Sequence, residues 1–138
     1  MKKEKSVKIF SPSPVDEKYQ RREKRCYQVS FPISKFPAGV IIDTIFSVNG
    51  KELNTKKREA AFKIIGKRGA SLARNLLSWS CILQLEMYDT LIVVTKNYAC
   101  SWKDLDKHIL EEIAETYKNS GFTVKMAQES RGNGDMSR

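Results

Sequence analysis

The sequence predicts an α+β protein whose central elements follow in the order strand, helix, turn, helix, strand, strand, helix. Three observations support this order. Side chains alternate between two faces in CILQLEMY at residues 81–88, which is typical of a strand with one buried face. Apolar residues recur at every fourth position over residues 105–117, which indicates a helix. Two glycines, Gly66 and Gly69, interrupt a helix-favouring stretch over residues 62–77, which indicates a helix, a four-residue turn and a second helix.

The composition predicts one globular domain with a tail at each end. The chain has 138 residues, 41% of them hydrophobic and 30% charged, which is enough to bury a core without disulfides or metal. We expect a basic flexible tail over residues 1–25, one domain over residues 26–126 and a polar tail over residues 127–138. The SPSP run at residues 11–14 opposes regular structure in the first tail.

Two early strands are predicted before the first helix. Residues 26–33 alternate between apolar and polar side chains, and Pro32 marks the edge or the end of that strand. Residues 39–48 form a second apolar run rich in β-branched residues, which the turn signal Asn49-Gly50 closes. Asn54 or Thr55 is suited to cap the helix that follows.

The second half of the chain contains a strand pair and a helix. The strand at residues 81–88 turns at Tyr88-Asp89 and continues as TLIVVTK. The S-x-x-D pattern of Ser101 and Asp104 predicts the start of the last helix, and Gly121 predicts its end. A short last strand, FTVKM, can follow that glycine.

The charge distribution favours an acidic partner. The formal net charge is +9, and residues 51–74 carry eight cations against only two acids, Glu52 and Glu59. Nucleic acid, an anionic membrane and an acidic protein are all compatible with this excess of positive charge. The same charge could also serve only to keep the protein in solution.

The most informative motif is IIGKRGASL, in which Gly66 and Gly69 bracket Lys67 and Arg68. Glycine allows backbone angles that other residues avoid, and it leaves room for a partner to approach the backbone. A helix that begins after Gly69 would point unpaired N–H groups at the turn, and such groups receive phosphate. The sequence therefore predicts an anion site with two added cations.

This pattern, together with the order of elements, resembles the KH domain. The resemblance covers about residues 40–117 and implies a type I-like KH fold, an antiparallel sheet of three or more strands covered on one face by three helices. An extra strand would precede it, and the resemblance leaves open which early strand is the first of the family. In that family the GXXG loop clamps about four single-stranded nucleotides. The connection at Tyr88-Asp89 is short for the family, and the first helix is long.

The resemblance implies a site for single-stranded RNA. Residues 66–69 would hold phosphates through their amides, Lys67 and Arg68 would add charge, and Ile65 and Leu72 would line an apolar groove for the bases. Arg74 lies one turn beyond the loop, and Tyr88 is the candidate for base stacking. The predicted RNA-binding residues are thus Ile65, Gly66, Lys67, Arg68, Gly69, Leu72, Arg74 and Tyr88.

The expected partner is single-stranded RNA or a ribonucleoprotein, and a partner protein or a homodimer is compatible with the weak binding of one such module. The alternative is a basic structural protein, of matrix type or a ribonucleoprotein assembly factor, that self-associates on anionic surfaces. The basic N-terminal segment and the small size of the chain favour that alternative.

Catalysis is not expected, and no cofactor is expected. The sequence GKRG lacks the Lys-Ser/Thr pair that follows the glycines of a P-loop, and His108 is the only histidine. No set of side chains suggests a nucleophile with its base.

The cysteines predict reduced thiols. Cys26, Cys81 and Cys100 are odd in number and contain no CxxC pair, which argues against both a zinc site and a disulfide framework. We therefore expect an intracellular protein, cytoplasmic or nuclear. No apolar run approaches the length of a transmembrane segment, and no secretory signal is evident.

Overall fold

The computed structural model describes residues 5–12, 22–45 and 47–128. Within these ranges the chain forms eight strands and two helices. The strands are β1 (Ser6–Ser11), β2 (Lys24–Val29), β3 (Val40–Asp43), β4 (Ser47–Val48), β5 (Lys51–Glu52), β6 (Ile82–Met87), β7 (Leu91–Lys96) and β8 (Thr123–Gln128). The helices are α1 (Thr55–Leu77) and α2 (Trp102–Asn119).

Six strands form one mixed sheet in the order β3-β6-β7-β2-β1-β8. Four neighbouring pairs are antiparallel, whereas β1 and β8 are parallel, with Ser6 opposite Thr123 and Ser11 opposite Gln128. Strands β4 and β5 form a separate hairpin, for which Asn49 and Gly50 take positive φ angles of 52° and 78°. The Asn-Gly pair thus closes a hairpin because both residues tolerate this region of backbone space.

Both helices pack on one face of the sheet. Helix α1 contacts β3 and β6, helix α2 contacts β1 and β8, and the two helices contact each other. The core between these layers is aliphatic and aromatic, and its largest fully buried side chains include Trp102, Tyr27, Tyr117, Leu72, Leu76 and Leu85. The alternation seen in the sequence accounts for this arrangement, because every second residue of β1, β2 and β7 points into the core.

The α+β class is confirmed, but the KH arrangement predicted from the motif is wrong. The sheet has six strands and is mixed, and two helices cover it where three were expected. The difference in helix count arises at Gly66, whose φ of 89° and ψ of 176° are not helical. Two helical segments meet at this kink, so the four-residue loop predicted over residues 66–69 is reduced to one non-helical residue, and the two segments are counted together as α1.

Three predicted segments also differ in the structure. Residues 1–25 were expected to be a flexible tail, yet β1 lies within them, because Val7 and Ile9 alternate into the core. The early strand predicted over residues 26–33 is β2, which begins at Lys24 and ends at Val29, before Pro32. The second predicted strand, over residues 39–48, is divided between β3 and β4.

The two helix starts differ in how they are capped. The Ser101 side chain accepts a hydrogen bond from the amide of Lys103, as the S-x-x-D pattern predicts. Asn54 occupies the N-cap position of α1, but its side chain donates to the carbonyl of Thr44 and makes no cap hydrogen bond. Gly121 follows α2 with a φ of 87°, a conformation that favours glycine at the end of a helix.

We expect the protein to lose stability in alkali because of two core tyrosines. Burial raises the pKa of both Tyr27 and Tyr117 above the ordinary value of 10.0. Below about pH 10 these tyrosine hydroxyls are neutral in both the folded and the unfolded protein. Above that pH the hydroxyls ionise in the unfolded chain but stay neutral in the folded one, so the free energy of unfolding decreases. Each such tyrosine contributes about 1.4 kcal/mol per pH unit to this decline.

The measurement is the melting temperature between pH 8 and pH 11. We expect a steep fall above about pH 10, and a shallower fall in a Tyr117→Phe variant. Tyr98 is 91% exposed, so Tyr98→Phe is the matched control and should follow the wild type. If the melting temperature of Tyr117→Phe fell with pH as steeply as that of the wild type, buried Tyr117 would not contribute to the loss of stability in alkali.

Candidate nucleic-acid interface

The bend at Gly66 is built from helix and loop together. Only glycine adopts its φ of 89° without strain. The amide of Lys35 donates to the carbonyl of Ile65 at 2.9 Å, and the Lys35 side chain lies against Gly66 so closely that an added Cβ would come within 2.9 Å of Cδ. A loop segment of residues 31–35, the covering segment, therefore lies over the bend.

Gly69 is buried beneath the same segment. A Cβ on Gly69 would lie 3.1 Å from the carbonyl oxygen of Ile33 and 3.1 Å from Sδ of Met87. The absence of a side chain thus lets the covering segment and β6 approach the helix. The second glycine of the motif serves packing within the chain, and its backbone faces protein at this point.

Arg68 is held in an aromatic cage. Its Cζ lies 4.9–5.5 Å from the ring centroids of Phe31, Tyr117 and Phe122, and its Nη1 donates to the carbonyl of Pro32 at 3.1 Å. Cation–π contacts of this kind are strengthened by partial burial. Arg68 therefore ties the bend of α1 to the covering segment and to the end of α2.

The structure places the other predicted site residues apart from one another. Ile65 and Leu72 are core residues, with 1% and 0% of their surface exposed. Arg74 is exposed, lies over the ring of Phe62 and sits 3.6 Å from a carboxylate oxygen of Glu59. Neither buried side chain presents a surface to a base, and Arg74 already has an anionic neighbour.

Tyr88 makes local contacts. Its ring lies against Gly39, and its hydroxyl donates to the carboxylate of Glu86. That hydrogen bond is the main cause of the raised pKa of Tyr88. Because Glu86 would repel a phosphate near this ring, the surroundings of Tyr88 are less favourable to nucleic acid than the surface beside Lys67.

Five exposed lysines lie on or beside α1, and together they are here called the lysine face. Its members are Lys35, Lys56, Lys57, Lys63 and Lys67. Lys56 and Lys63 are two helical turns apart and share one side of the helix. Lys35 joins them through its contact with Gly66. Within the described ranges, none of the five forms an ion pair.

Two exposed apolar side chains lie in the same region. Phe36 is 43% exposed and directly follows Lys35, and Ile64 is 48% exposed between Lys63 and the bend. The motif pointed to Lys67, but neither Lys35 nor Phe36 was predicted. The sequence held no signal for either residue, because the contact of Lys35 with Gly66 joins positions far apart in the chain.

The two helices differ in charge. Helix α2 carries five acids, Asp104, Asp106, Glu111, Glu112 and Glu115, against three lysines. Helix α1 carries seven cations and one acid, Glu59. An anionic polymer is therefore attracted to one side of the helical layer and repelled from the other.

The cysteine prediction is corrected by the structure. Cys81 and Cys100 form a disulfide, whereas Cys26 lies half-buried in β2. The two partners precede β6 and follow β7, so the hairpin brings them together. The expectation of three reduced thiols was wrong, and it no longer supports placing the chain in a reducing compartment.

Other kinds of site find little support in the described ranges. Residues 5–12, 22–45 and 47–128 contain no group of three or more His, Cys, Asp or Glu side chains that could hold a metal ion. In the same residues, neither helix is long and apolar enough to cross a membrane. No family model, curated protein or solved structure matches this chain.

Proposed function

We propose that the chain is a non-catalytic binder of single-stranded RNA that holds the sugar–phosphate backbone on the lysine face. The observation that carries this proposal is the set of five exposed lysines with no carboxylate partner in the described residues. Lysine side chains without carboxylates are available to phosphates, and the release of counterions from the RNA provides the driving force.

The contact differs from the one that the motif implies. The covering segment lies over the bend, with Ile33 against Gly69 and Lys35 against Gly66. Side-chain ammonium groups therefore replace the loop amides as the groups that bind phosphate. They approach from the outer side of α1, where Lys63 and Lys67 flank the bend.

Bases have a smaller role in this interface. Phe36 offers an exposed ring on which one base can stack, and Ile64, which follows Lys63 in α1, adds exposed apolar surface. A single aromatic ring and flexible lysines read little sequence, so we expect weak base preference and strong dependence on salt. Single strands are favoured over duplexes because the base that stacks must be unpaired.

The test compares two double variants with the same change in net charge. Lys63→Glu with Lys67→Glu alters the lysine face, and Lys103→Glu with Lys107→Glu alters exposed lysines at the same spacing on α2. In a fluorescence titration with single-stranded RNA, we expect the first pair to weaken binding about tenfold or more and to lower the salt slope by about two. The α2 pair should change binding much less.

Equal weakening by the two pairs would contradict the proposal, because it would show that only the net charge matters. Arg68 is unsuitable for this test. Its place in the aromatic cage means that Arg68→Asp would damage the fold as well as any RNA contact. Circular dichroism of each variant establishes that the fold is retained.

A second candidate is a structural protein that assembles on anionic surfaces. Three exposed apolar side chains, Ile45, Val48 and Leu53, surround the β4–β5 hairpin, close in sequence to Lys51 and Lys56. Apolar and cationic groups together favour an anionic lipid interface. The same titration with anionic vesicles in place of RNA separates the two candidates, since the RNA binder should prefer single-stranded RNA to vesicles and to duplex.

A further inference from the structure

The disulfide lies in an open cleft. A cavity of about 690 Å³ is lined by Trp79, Cys81, Cys100, Ser101, Asp104 and His108, among others. The rings of Trp79 and His108 meet edge to face, with centroids 5.5 Å apart, at its wall. Both cysteine residues are half-buried, so the link lines the cleft and is not enclosed in the core. A volume of this size is within the range that accommodates small molecules.

The backbone holds the two cysteines together without help from the sulfur link. The amide of Asn97 donates to the carbonyl of Cys81 at 2.8 Å, and the amide of Cys100 donates to the carbonyl of Asn97 at 3.0 Å. Strands β6 and β7 pair from Ile82 and Lys96 onward. Breakage of the link therefore leaves two thiols side by side, in position to form it again.

We propose that Cys81–Cys100 is an exchangeable disulfide whose reaction partners are small dithiols and thiols that enter this cleft. The thiolate of a dithiol bonds to one cysteine sulfur, the S–S bond breaks, and the other cysteine leaves as a thiolate that takes up a proton. The second thiol of the reagent then attacks the mixed disulfide, closes into a cyclic disulfide and releases the first cysteine as a thiol. Two electrons and two protons pass from the dithiol to the protein.

The reverse reaction restores the link. A small disulfide such as oxidised glutathione accepts two electrons from the cysteine pair through the same mixed disulfide. Because the hairpin keeps the pair in register, no refolding step is needed between the two states. A purely structural disulfide would behave differently, since it would react only when the chain unfolds.

The experiment uses the full chain with Cys26→Ser, so that only the pair can react. Folded protein is incubated with increasing concentrations of dithiothreitol, and the reaction is quenched with N-ethylmaleimide, which alkylates the thiols that have formed. Intact mass spectrometry then gives the number of alkyl groups per chain. We expect two alkyl groups per chain, a rate proportional to dithiothreitol and unchanged by low urea, and a retained circular dichroism spectrum. Oxidised glutathione should then restore the unalkylated mass in a sample that was not quenched.

A rate that rises steeply with urea, or that saturates at the rate of unfolding, would overturn the proposal, and so would a pair that fails to reoxidise. A second variant tests the cleft itself. Ala99 is exposed and lines the cleft, so Ala99→Trp should slow reduction several-fold by blocking access. Ser71→Trp, at an exposed position of α1, should leave the rate unchanged. Equal rates in these two variants would also overturn it.

Discussion

Replacing Asp106 with alanine is expected to lower the free energy of unfolding by about 3 kcal/mol. Asp106 accepts hydrogen bonds from Nε of Arg25 at 2.8 Å and from the hydroxyl of Tyr27 at 2.6 Å, so one carboxylate of α2 serves two residues of β2. The Arg25 and Asp106 side chains are only 13% and 22% exposed. Alanine would remove the acceptor for the buried Tyr27 hydroxyl and a carboxylate that is ion-paired with the half-buried Arg25 guanidinium.

Urea unfolding measures this effect. Asp106→Asn keeps an acceptor near Tyr27 while removing the charge, so we expect an intermediate loss. Glu115→Ala is the matched control, because Glu115 is an exposed acid on the same helix and its loss should change stability by less than about 0.5 kcal/mol. If Asp106→Ala were as mild as Glu115→Ala, the contact between β2 and α2 would not contribute as the geometry indicates.

Replacing Gly69 with valine should be equally damaging, with an expected loss of about 3 kcal/mol from overpacking. The first added carbon already lies 3.1 Å from a backbone oxygen, that of Ile33, which cannot swing aside as a side chain does. The two methyl groups of valine would then push the covering segment away from α1. Alanine should cost less, because a better helix propensity offsets part of the crowding.

The control for Gly69→Val is Ser71→Val, which places the same β-branched side chain at an exposed position of the same helix. Its effect should stay within about 0.5 kcal/mol, close to the propensity difference alone. A Gly69→Val protein with the stability of the wild type would contradict the packing role. That result would also show that the covering segment can move away from the bend.

The parts of the fold that the sequence predicted are those set by local patterns. Helix α2 has its cap at Ser101, its apolar residues on one side and its stop at Gly121, all within one segment. The strand pair β6–β7 likewise depends on alternation and on a short turn. The part that it missed depends on a distant partner: β1 lies within the expected basic tail, and its parallel partner β8 lies at the other end of the described chain.

The candidate site shows the same division. The motif drew attention to the bend and to Lys67, and the cluster of cations was visible in the composition of residues 51–74. The burial of Gly69 and the cage around Arg68 could not be predicted, because both depend on a loop more than thirty positions earlier. The disulfide could have been predicted from the sequence, since Cys81 and Cys100 flank the predicted hairpin and antiparallel strands bring such flanking residues close together.

The parallel pairing of β1 with β8 has a consequence for biosynthesis. During synthesis, β1 leaves the ribosome before β8 and can pair with β2 once both strands have left the exit tunnel. The other edge of β1 stays unpaired until β8 (Thr123–Gln128) has been synthesised. Contacts between such distant segments form slowly, and an unpaired strand edge attracts other nascent chains. Completion of this sheet is therefore a late event, and the interval before it is when the polypeptide is most exposed to misassembly.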